Sequence, residues 1–373
     1  MKRLKWVGLA VVAAAALLAV VLRVRYGGGD PYSDLTGQPL LPESALEVVV
    51  VSREPVGNVA ASPSGRLFFS IHPESRPSGA KVLEWKDGKA VPFPDREIQH
   101  RLLVTPLGLR VDARNRLWVI DHGNHGVAGA RLVAFDLASG ALAREIRFDR
   151  TVAPLGSFLQ DFAIDRNGDF AYVADVSFWR KSPAVVVVDL RTGRAHRALE
   201  RHPSVTAQDW IIESGKRMTF FGGLVALKAG VDGIALSPDD EWVVYAAMNH
   251  DGLYRVRAAD LRGGRSGPGD GVERIATKPL SDGIATDVAG NVLITDVEHG
   301  AVLRTTRNGG LETLVRSPRI RWADGFSFGP DGWLYLADSA IPDQMLRSKS
   351  HMAANAPYHV YRFRPGIEGI PGR

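Results

Sequence analysis

A short apolar segment runs into a tight polar turn and out into a second apolar segment six times along this chain of 373 residues. The first residues of these turns are 50, 53, 72, 50 and 42 positions apart, a spacing typical of β-propeller blades rather than helical repeats. The turns lie at residues 62–65, 112–115, 165–168, 237–240, 287–290 and 329–332. The pattern therefore predicts six similar structural units.

Most repeats continue with a third segment, a turn and a fourth segment, as in residues 131–148 and 184–199. Val, Leu, Phe and Tyr dominate these segments, and Gly, Asn and Asp bound them, as expected for strands joined by hairpins. The last repeat offers only three strands and ends at residues 358–364, whereas an unpaired strand, residues 46–53, precedes the first repeat. We predict an all-β, six-bladed β-propeller over residues 46–373, closed by this N-terminal strand so that no sheet edge is exposed.

Residues 1–25 are of a different kind. Lys2, Arg3 and Lys5 precede an uncharged stretch of 17 residues, 6–22, which at about 1.5 Å per residue could cross roughly 25 Å of a membrane. This segment predicts export, with the propeller in the periplasm or secreted. The apolar run ends without a clear cleavage site, which favours an uncleaved membrane anchor over a removed signal peptide. Residues 26–45 are predicted to form a flexible tether.

The net charge of +5 comes entirely from the N-terminal segment. Its five cations, taken from 46 basic residues, leave 41 against 41 acidic residues in the rest of the chain. A neutral propeller does not favour nucleic-acid binding. The chain has no cysteine, which excludes disulfides, a thiol nucleophile and thiolate metal ligands. We expect a monomer that contacts the membrane through its N-terminal segment only.

Aspartates recur at both ends of the predicted inner hairpins. The pairs Asp161 and Asp175, Asp282 and Asp296, and Asp324 and Asp338 are each separated by 14 residues. Because an inner strand begins on the face to which the second strand returns, both members of a pair should lie on one face of the propeller. The inner group at the axial mouth is predicted to contain Asp161, Asp232, Asp282 and Asp324, and an outer group on the same face to contain Asp121, Asp175, Asp296 and Asp338.

Three interpretations of the inner group remain open. Asp232, Asp282 and Asp324 could bind a hard divalent cation such as Ca²⁺ through oxygen ligands. Asp282 and Asp324 could instead transfer protons to and from a small substrate. Finally, each of these three aspartates precedes a glycine, and an Asp-Gly pair often only caps a turn.

Several other residues are predicted to lie near the same mouth. Trp322 and Lys278 come shortly before two of the aspartates, and Trp322 is a candidate for the wall of a ligand site together with Asp161, Asp232, Asp296, Asp338 and His299. His122, His125 and His250 fall on this face too, although loop histidines are more often solvated than catalytic. Nucleotide-binding, zinc-protease and serine-hydrolase motifs are absent from the sequence.

The chain resembles the major royal jelly protein and Yellow family. The resemblance is carried by residues 108–112 with 116–121, by 159–165 with 170–175, by 232–238, and by 322–325 with 331–335. It implies an exported six-bladed propeller with a ligand pocket at one end of the central channel. It also implies an activity related to dopachrome conversion, or the binding of amines or sterols. The cysteines of the insect members are missing here, so their disulfide-supported loops are not expected.

A more distant resemblance is to the regucalcin and gluconolactonase propellers. It implies a divalent cation held by a Glu, an Asn and an Asp from three inner strands. Asp232 and Asp282 match the last two positions, but the first falls at Gly57, beside Asn58, where there is no acid. Asn58 is therefore a candidate ligand-binding residue, and Asp324 a candidate substitute for the missing acid.

Three functions follow from the sequence. The first is a propeller that binds, and isomerises, a small cyclic or aromatic molecule at the axial mouth. The second is a lactonase that depends on a divalent cation. The third is a binding or scaffold propeller without catalysis, and the sequence leaves open both the ligand and the cofactor.

Overall fold

The computed structural model describes residues 2–264, 271–306 and 308–373, so Met1 of the predicted anchor lies outside the described residues. Within these ranges six four-stranded antiparallel sheets follow one another along the chain, and an apolar helix, Lys2–Tyr26, precedes them. The prediction of an all-β, six-bladed propeller preceded by an apolar N-terminal helix is therefore confirmed. Short helices at Arg96–Leu102, Ala258–Arg262 and Lys349–Ala354 connect strands.

The strands of each blade, from the axis outward, have the following bounds. Blade 1 contains Val56–Ala61, Leu67–Ile71, Val82–Lys86 and Lys89–Pro92, and blade 2 contains Pro106–Val111, Arg116–Asp121, Arg131–Asp136 and Leu142–Arg147. Blade 3 contains Leu159–Ile164, Phe170–Asp175, Ala184–Asp189 and Ala195–Ala198, and blade 4 contains Val231–Leu236, Trp242–Ala247, Gly252–Arg257 and Glu273–Thr277. Blade 5 contains Ile284–Thr286, Val292–Asp296, Ala301–Thr305 and Leu311–Arg316, and blade 6 contains Ala323–Phe328, Leu334–Asp338, Tyr358–Phe363 and Glu47–Ser52.

The outermost strand of blade 6 comes from before the first repeat. Glu47–Ser52 pairs antiparallel with Tyr358–Phe363, and Val50 lies opposite Val360. Val50 is fully buried in a cluster that joins blade 6 to blade 1 and includes Val56 and Tyr335. Similar apolar clusters fill the spaces between the other blades, so the core is a ring of inter-blade layers.

Three of the six inner-hairpin turns have an aspartate at their first position for a local reason. The carboxylate of Asp112 accepts hydrogen bonds from the backbone N–H groups of Arg114 and Arg116, at 2.9 and 3.0 Å. Asp287 binds its own turn in the same way. These turns lie at the end of the channel opposite the predicted mouth, where C-terminal residues 370–373 line a cavity of about 230 Å³ together with the turn residues.

The predicted tether covers residues 26–45, but Tyr26 is the last residue of the N-terminal helix, and residues 27–45 contact the propeller. Asp30–Pro31 forms a short parallel pairing with Trp210–Ile211, and the N–H groups of Leu40 and Leu41 bond to blade 5. The connection between blades 3 and 4 contains a small hairpin, Thr219–Phe220 with Val225–Ala226, which overhangs the predicted mouth. The N-terminal helix reaches this region only with its last turn, and the apolar stretch before it is exposed.

Candidate functional site

A cavity of about 270 Å³ opens at the face where the inner strands begin and the second strands end. Its floor lies on the propeller axis, and its walls are mainly apolar and aromatic. The wall residues include Phe158, Val176, Phe178, Trp179, Phe220, Phe221, Leu227, Met248, Trp322, Ile341 and Met345. An apolar, concave site with a few polar groups at its base is the usual form of a small-molecule site.

Two of the predicted inner aspartates, Asp232 and Asp282, form part of the cavity wall. Both are buried, and the charge of Asp282 raises the pKa of Asp232. Two buried carboxyl groups that repel each other favour a state in which one of them is protonated.

Asp282 is held by two donors from other blades. The indole Nε1 of Trp322 donates to its Oδ2 at 2.7 Å, and the amide Nε2 of Gln160 donates to its Oδ1 at 3.2 Å. Burial raises the pKa of the Asp282 carboxyl to about 7, although these donors act in the opposite direction. A carboxyl group with this pKa can exchange a proton near neutral pH.

Asp232 is less well satisfied than Asp282. Both of its carboxyl oxygens are buried without a hydrogen-bond donor among the described residues, and the same holds for Oδ2 of Asp324. Burial, with the charges of Asp282, Asp324 and Asp161, raises the pKa of Asp232 well above its ordinary value. Burial and the charge of Asp282 do the same to Asp324. Asp324 is not among the cavity wall residues, so it affects the pair through its charge.

The fourth inner aspartate, Asp161, is paired with a cation. The guanidinium of Arg110 donates to its Oδ2 at 2.7 Å, and both side chains are buried. Arg110 also lies 3.4 Å from Oδ1 of Asn58, which accepts from the N–H of Leu109 at 3.3 Å. Asn58 and Asp161 thus belong to a polar cluster on the axis outside the cavity wall.

Glycines follow three of the four inner aspartates, Asp232, Asp282 and Asp324, because neighbouring inner strands approach closely at this point. A Cβ atom on Gly283 would lie 2.1 Å from the carbonyl oxygen of Asp324, and one on Gly233 would lie 2.7 Å from that of Asp282. Neither glycine has a positive φ. Among the described residues no backbone N–H group donates to the side chain of Asp232 or Asp282. Turn capping through backbone N–H groups therefore does not explain Asp232 and Asp282.

The outer aspartates, in contrast, accept hydrogen bonds from backbone N–H groups. Asp338 accepts from the N–H groups of Arg321 and Trp322, at 3.0 and 2.7 Å, and so fixes the entry to blade 6. Asp296 accepts from the N–H of His299 at 3.0 Å and from its ring Nδ1 at 2.9 Å. Asp121 and Asp175 hold the entries to blades 2 and 3 in the same way. The predicted ligand-binding residues Asp296, Asp338 and His299 all lie outside the cavity wall.

The predicted cation ligands do not form a compact donor set. Among the described residues, the only three acidic or histidine side chains whose ligand atoms all lie within 4.8 Å of one another are Asp34, Asp296 and His299. At the axis, both oxygens of Asp282 accept hydrogen bonds, and the guanidinium of Arg110 supplies positive charge beside Asp161. The inner aspartates therefore fit a divalent cation poorly.

Two groups of cavity residues were not predicted from the sequence. His72 and Glu74 lie just after the second strand of blade 1, and the ring of His125 lies 3.5 Å from the Glu74 carboxylate. Hairpin geometry could have revealed His72, because it takes the position that His122 takes in blade 2. Phe220, Phe221 and Met345 come from irregular connections, where no periodic signal exists.

The model of the major royal jelly protein family matches residues 104–314, which is more than half of the chain and covers blades 2 to 4 and most of blade 5. The chain belongs to the major royal jelly protein family. Major royal jelly protein 3 of Apis mellifera is 27% identical over 203 residues, 48% of this chain and 35% of the relative. For major royal jelly protein 2 of Apis mellifera the identity is also 27%, over 49% of this chain and 42% of the relative. The chain thus spans less than half the length of either relative.

Solved structures of other propellers share the fold. A gluconolactonase from Xanthomonas campestris superposes with a TM-score of 0.57 at 16% identity, covering 92% of this chain and 99% of that one. The calcium-binding protein regucalcin from Agrobacterium tumefaciens superposes with a TM-score of 0.54 at 16% identity, covering 87% of this chain and 96% of that one. A luciferin-regenerating enzyme superposes with a TM-score of 0.56 at 13% identity, covering 88% of this chain and 97% of that one. At such low identity these similarities concern the fold alone.

Proposed function

We propose that this propeller binds a small cyclic or aromatic molecule in the axial cavity and isomerises it by proton transfer through Asp282. The observation that supports this proposal is the pair of buried carboxyl groups, Asp232 and Asp282, at the floor of an aromatic-walled cavity. Perturbed carboxyl groups that converge in a cleft are typical of acid/base sites.

The cavity walls select the ligand and exclude water. A volume of about 270 Å³ suits a molecule of roughly one or two rings, because drug-sized ligands need larger pockets. Phe158, Phe178 and Trp322 offer ring faces and edges against which a flat molecule can pack. Removal of water strengthens the electrostatic effect of the carboxyl groups on the bound molecule.

The chemistry follows from the unequal states of the two carboxyl groups. Asp282 as a carboxylate removes a proton from one carbon of the bound molecule. Asp232, whose pKa is raised by burial and by the neighbouring carboxylates so that its protonated form is favoured, delivers a proton to a second atom of the same molecule. One proton leaves and one arrives, so the product is an isomer and no co-reactant is consumed. Proton exchange within the Asp232 and Asp282 pair then restores the starting state.

We further propose that the propeller is exported and stays attached to the membrane through its N-terminal helix. The helix over Trp6–Tyr26 is long and apolar enough to cross a membrane, and no part of its apolar stretch is buried by the propeller. A soluble domain does not normally expose an apolar surface of this length to water.

A ligand screen of the full chain in detergent micelles tests the proposal. The probes are dopachrome, L-dopa and gluconolactone, with the melting temperature and the decay of dopachrome absorbance as readouts. We expect an aromatic probe to raise the melting temperature, since ligands that bind only the native state stabilise it. Asp282→Asn should keep this rise but lose turnover by about 100-fold or more.

The matched control is Asp296→Asn, because Asp296 is equally buried but lies outside the cavity. This variant should melt at a lower temperature, yet its ligand response and turnover should match those of the wild type. Turnover that survives in Asp282→Asn, or the absence of any response to the aromatic probes, would contradict the proposal.

A further inference from the structure

The cavity opens through a rim of exposed apolar side chains. Trp179, Phe221 and Leu346 all line the cavity, and their exposed fractions are 44%, 63% and 56%. They come from three separate connections, within blade 3, between blades 3 and 4, and within blade 6. Exposed large apolar residues that gather around one opening indicate a surface that contacts an apolar partner. We call these three residues the cavity rim.

The last turn of the N-terminal helix is bonded to the connections that bear two of the rim residues. The hydroxyl of Tyr26 donates to the carbonyl oxygen of Trp179 at 2.8 Å, and the two rings meet edge to face at 5.8 Å. The guanidinium of Arg23 donates to the carbonyl oxygen of Gly223 at 3.2 Å, two residues after Phe221. The membrane-capable helix therefore ends at the cavity rim.

Basic and aromatic groups surround this junction. The ammonium of Lys181 lies 4.5 Å above the ring of Phe178 and 5.2 Å above that of Tyr26. Arg25 donates to the carbonyl oxygen of Arg180 at 3.4 Å. Trp and Tyr are typical of the lipid headgroup region, and basic side chains next to a membrane span attract anionic lipids.

We propose that the cavity rim rests on the surface of the bilayer that the N-terminal helix crosses, so that the cavity opens at the level of the lipid headgroups. This inference rests on the proposed membrane anchor. The partner is an anionic phospholipid surface: Trp179, Phe221 and Leu346 enter its headgroup boundary, as the apolar face of a monotopic protein does, and Arg23, Arg25 and Lys181 face its phosphates.

The cysteine-free chain allows a direct test with single spin labels. Phe221→Cys and Leu346→Cys place a label on the rim, and Val12→Cys places one in the N-terminal helix. Val288→Cys is the matched control, because Val288 is 50% exposed in a turn at the opposite end of the channel. Each full-length variant is reconstituted in vesicles of phosphatidylethanolamine and phosphatidylglycerol. The readout is the ratio of label relaxation by oxygen, which concentrates in lipid, to relaxation by a water-soluble nickel complex.

We expect the logarithm of this ratio to be positive at positions 12, 221 and 346 and negative at position 288. A positive value at 12 with negative values at 221 and 346 would overturn the docking of the rim while leaving the anchor intact. Negative values at all four positions would overturn the anchor and the docking together. Positive values at 288 as well as at the rim would show unspecific adsorption and also overturn the proposal.

Discussion

The indole Nε1 of Trp322 donates a 2.7 Å hydrogen bond to Oδ2 of Asp282, so a residue at the entrance of blade 6 holds a carboxyl group at the entrance of blade 5. Both side chains are buried. The bond stabilises the ionised form of Asp282 against the burial that disfavours it. Trp322 thereby keeps the pKa of this carboxyl group close to neutral pH.

Replacing this donor should move the pKa of Asp282. In Trp322→Phe the carboxylate loses its indole partner, so we expect the pKa of Asp282 to rise above about 7 and the free energy of unfolding to fall by about 1 to 3 kcal/mol. Infrared titration of the protonated carboxyl band measures the pKa. The band of Asp282 is identified because it is absent from the spectrum of Asp282→Asn. Chemical unfolding measures the stability.

Trp118→Phe is the matched control for this experiment. Trp118 is equally buried, and its indole donates at 2.7 Å to Oδ2 of Asp112, in a turn at the opposite end of the channel. This variant should lose similar stability without a shift of the Asp282 band. A band that stays in place in Trp322→Phe, or moves equally in both variants, would contradict the assigned role of Trp322.

The stability of the wild type relative to Asp282→Asn should depend on pH. Asp282 has a pKa of about 7 in the folded state, raised from 3.8, so folding favours its protonated form. That stabilisation is complete below about pH 4 and is lost as pH rises through about 7. Because Asn stays neutral, the free energy of unfolding of the wild type minus that of the variant should fall by up to about 1.4 kcal/mol per pH unit across this window.

Asp136→Asn provides the comparison. The carboxylate of Asp136, which is partly exposed, accepts hydrogen bonds from the side chain and N–H of Ser139, and these bonds lower its pKa. The stabilisation by Asp136 is lost only as pH falls below the ordinary pKa range of an aspartate. The free energy of unfolding of the wild type minus that of Asp136→Asn should therefore be flat between about pH 5 and 8. Chemical unfolding of the three proteins across this range gives the answer. A flat difference for Asp282→Asn would mean that its carboxyl group titrates normally.

The sequence predicts that two of the inner carboxyl groups meet at the mouth, because strand alternation and hairpin length fix where each strand begins. Asp232 and Asp282 follow from that geometry alone. The contacts of Arg110 and Gln160 with aspartates of other blades could not be predicted. The tilt of neighbouring sheets decides which side chains reach from one blade to the next. Arg110 forms an ion pair with Asp161, which the spacing predicts as a member of the inner group but without this partner.

The cavity walls were less predictable than its floor. Phe221 and Leu346 come from connections without a repeating pattern, and their places depend on contacts with distant parts of the chain. Asp296 and Asp338 each follow an inner aspartate by 14 residues and lie on the same face, yet their carboxylates accept hydrogen bonds from backbone N–H groups. Sequence spacing predicts the face on which an aspartate lies, whereas its hydrogen-bond partners decide its role.

Calcium should not bind at the axis. Asp282 already accepts two hydrogen bonds, and Arg110 supplies positive charge beside Asp161, so we expect no change in melting temperature when CaCl₂ is added to the full chain. A rise that Asp232→Asn removes would instead support the cation-dependent lactonase. A rise that survives in Asp232→Asn and disappears in Asp34→Asn would place the cation at Asp34, Asp296 and His299. Calorimetry with the same variants measures the stoichiometry.

The N-terminal strand of blade 6 should be required for a closed and stable ring. Val50 and Val51 are neighbours in Glu47–Ser52, but Val50 is fully buried between blades 6 and 1, whereas Val51 is 56% exposed. Val50→Asp buries a carboxylate without a partner, so we expect it to destabilise the protein by about 3 kcal/mol or more, displace the strand and promote aggregation through the uncovered edge. Val51→Asp should change stability by less than about 1 kcal/mol, since its side chain remains in water. Chemical unfolding and size-exclusion chromatography in detergent compare the two. If both variants proved equally stable and monodisperse, the strand would not close the ring.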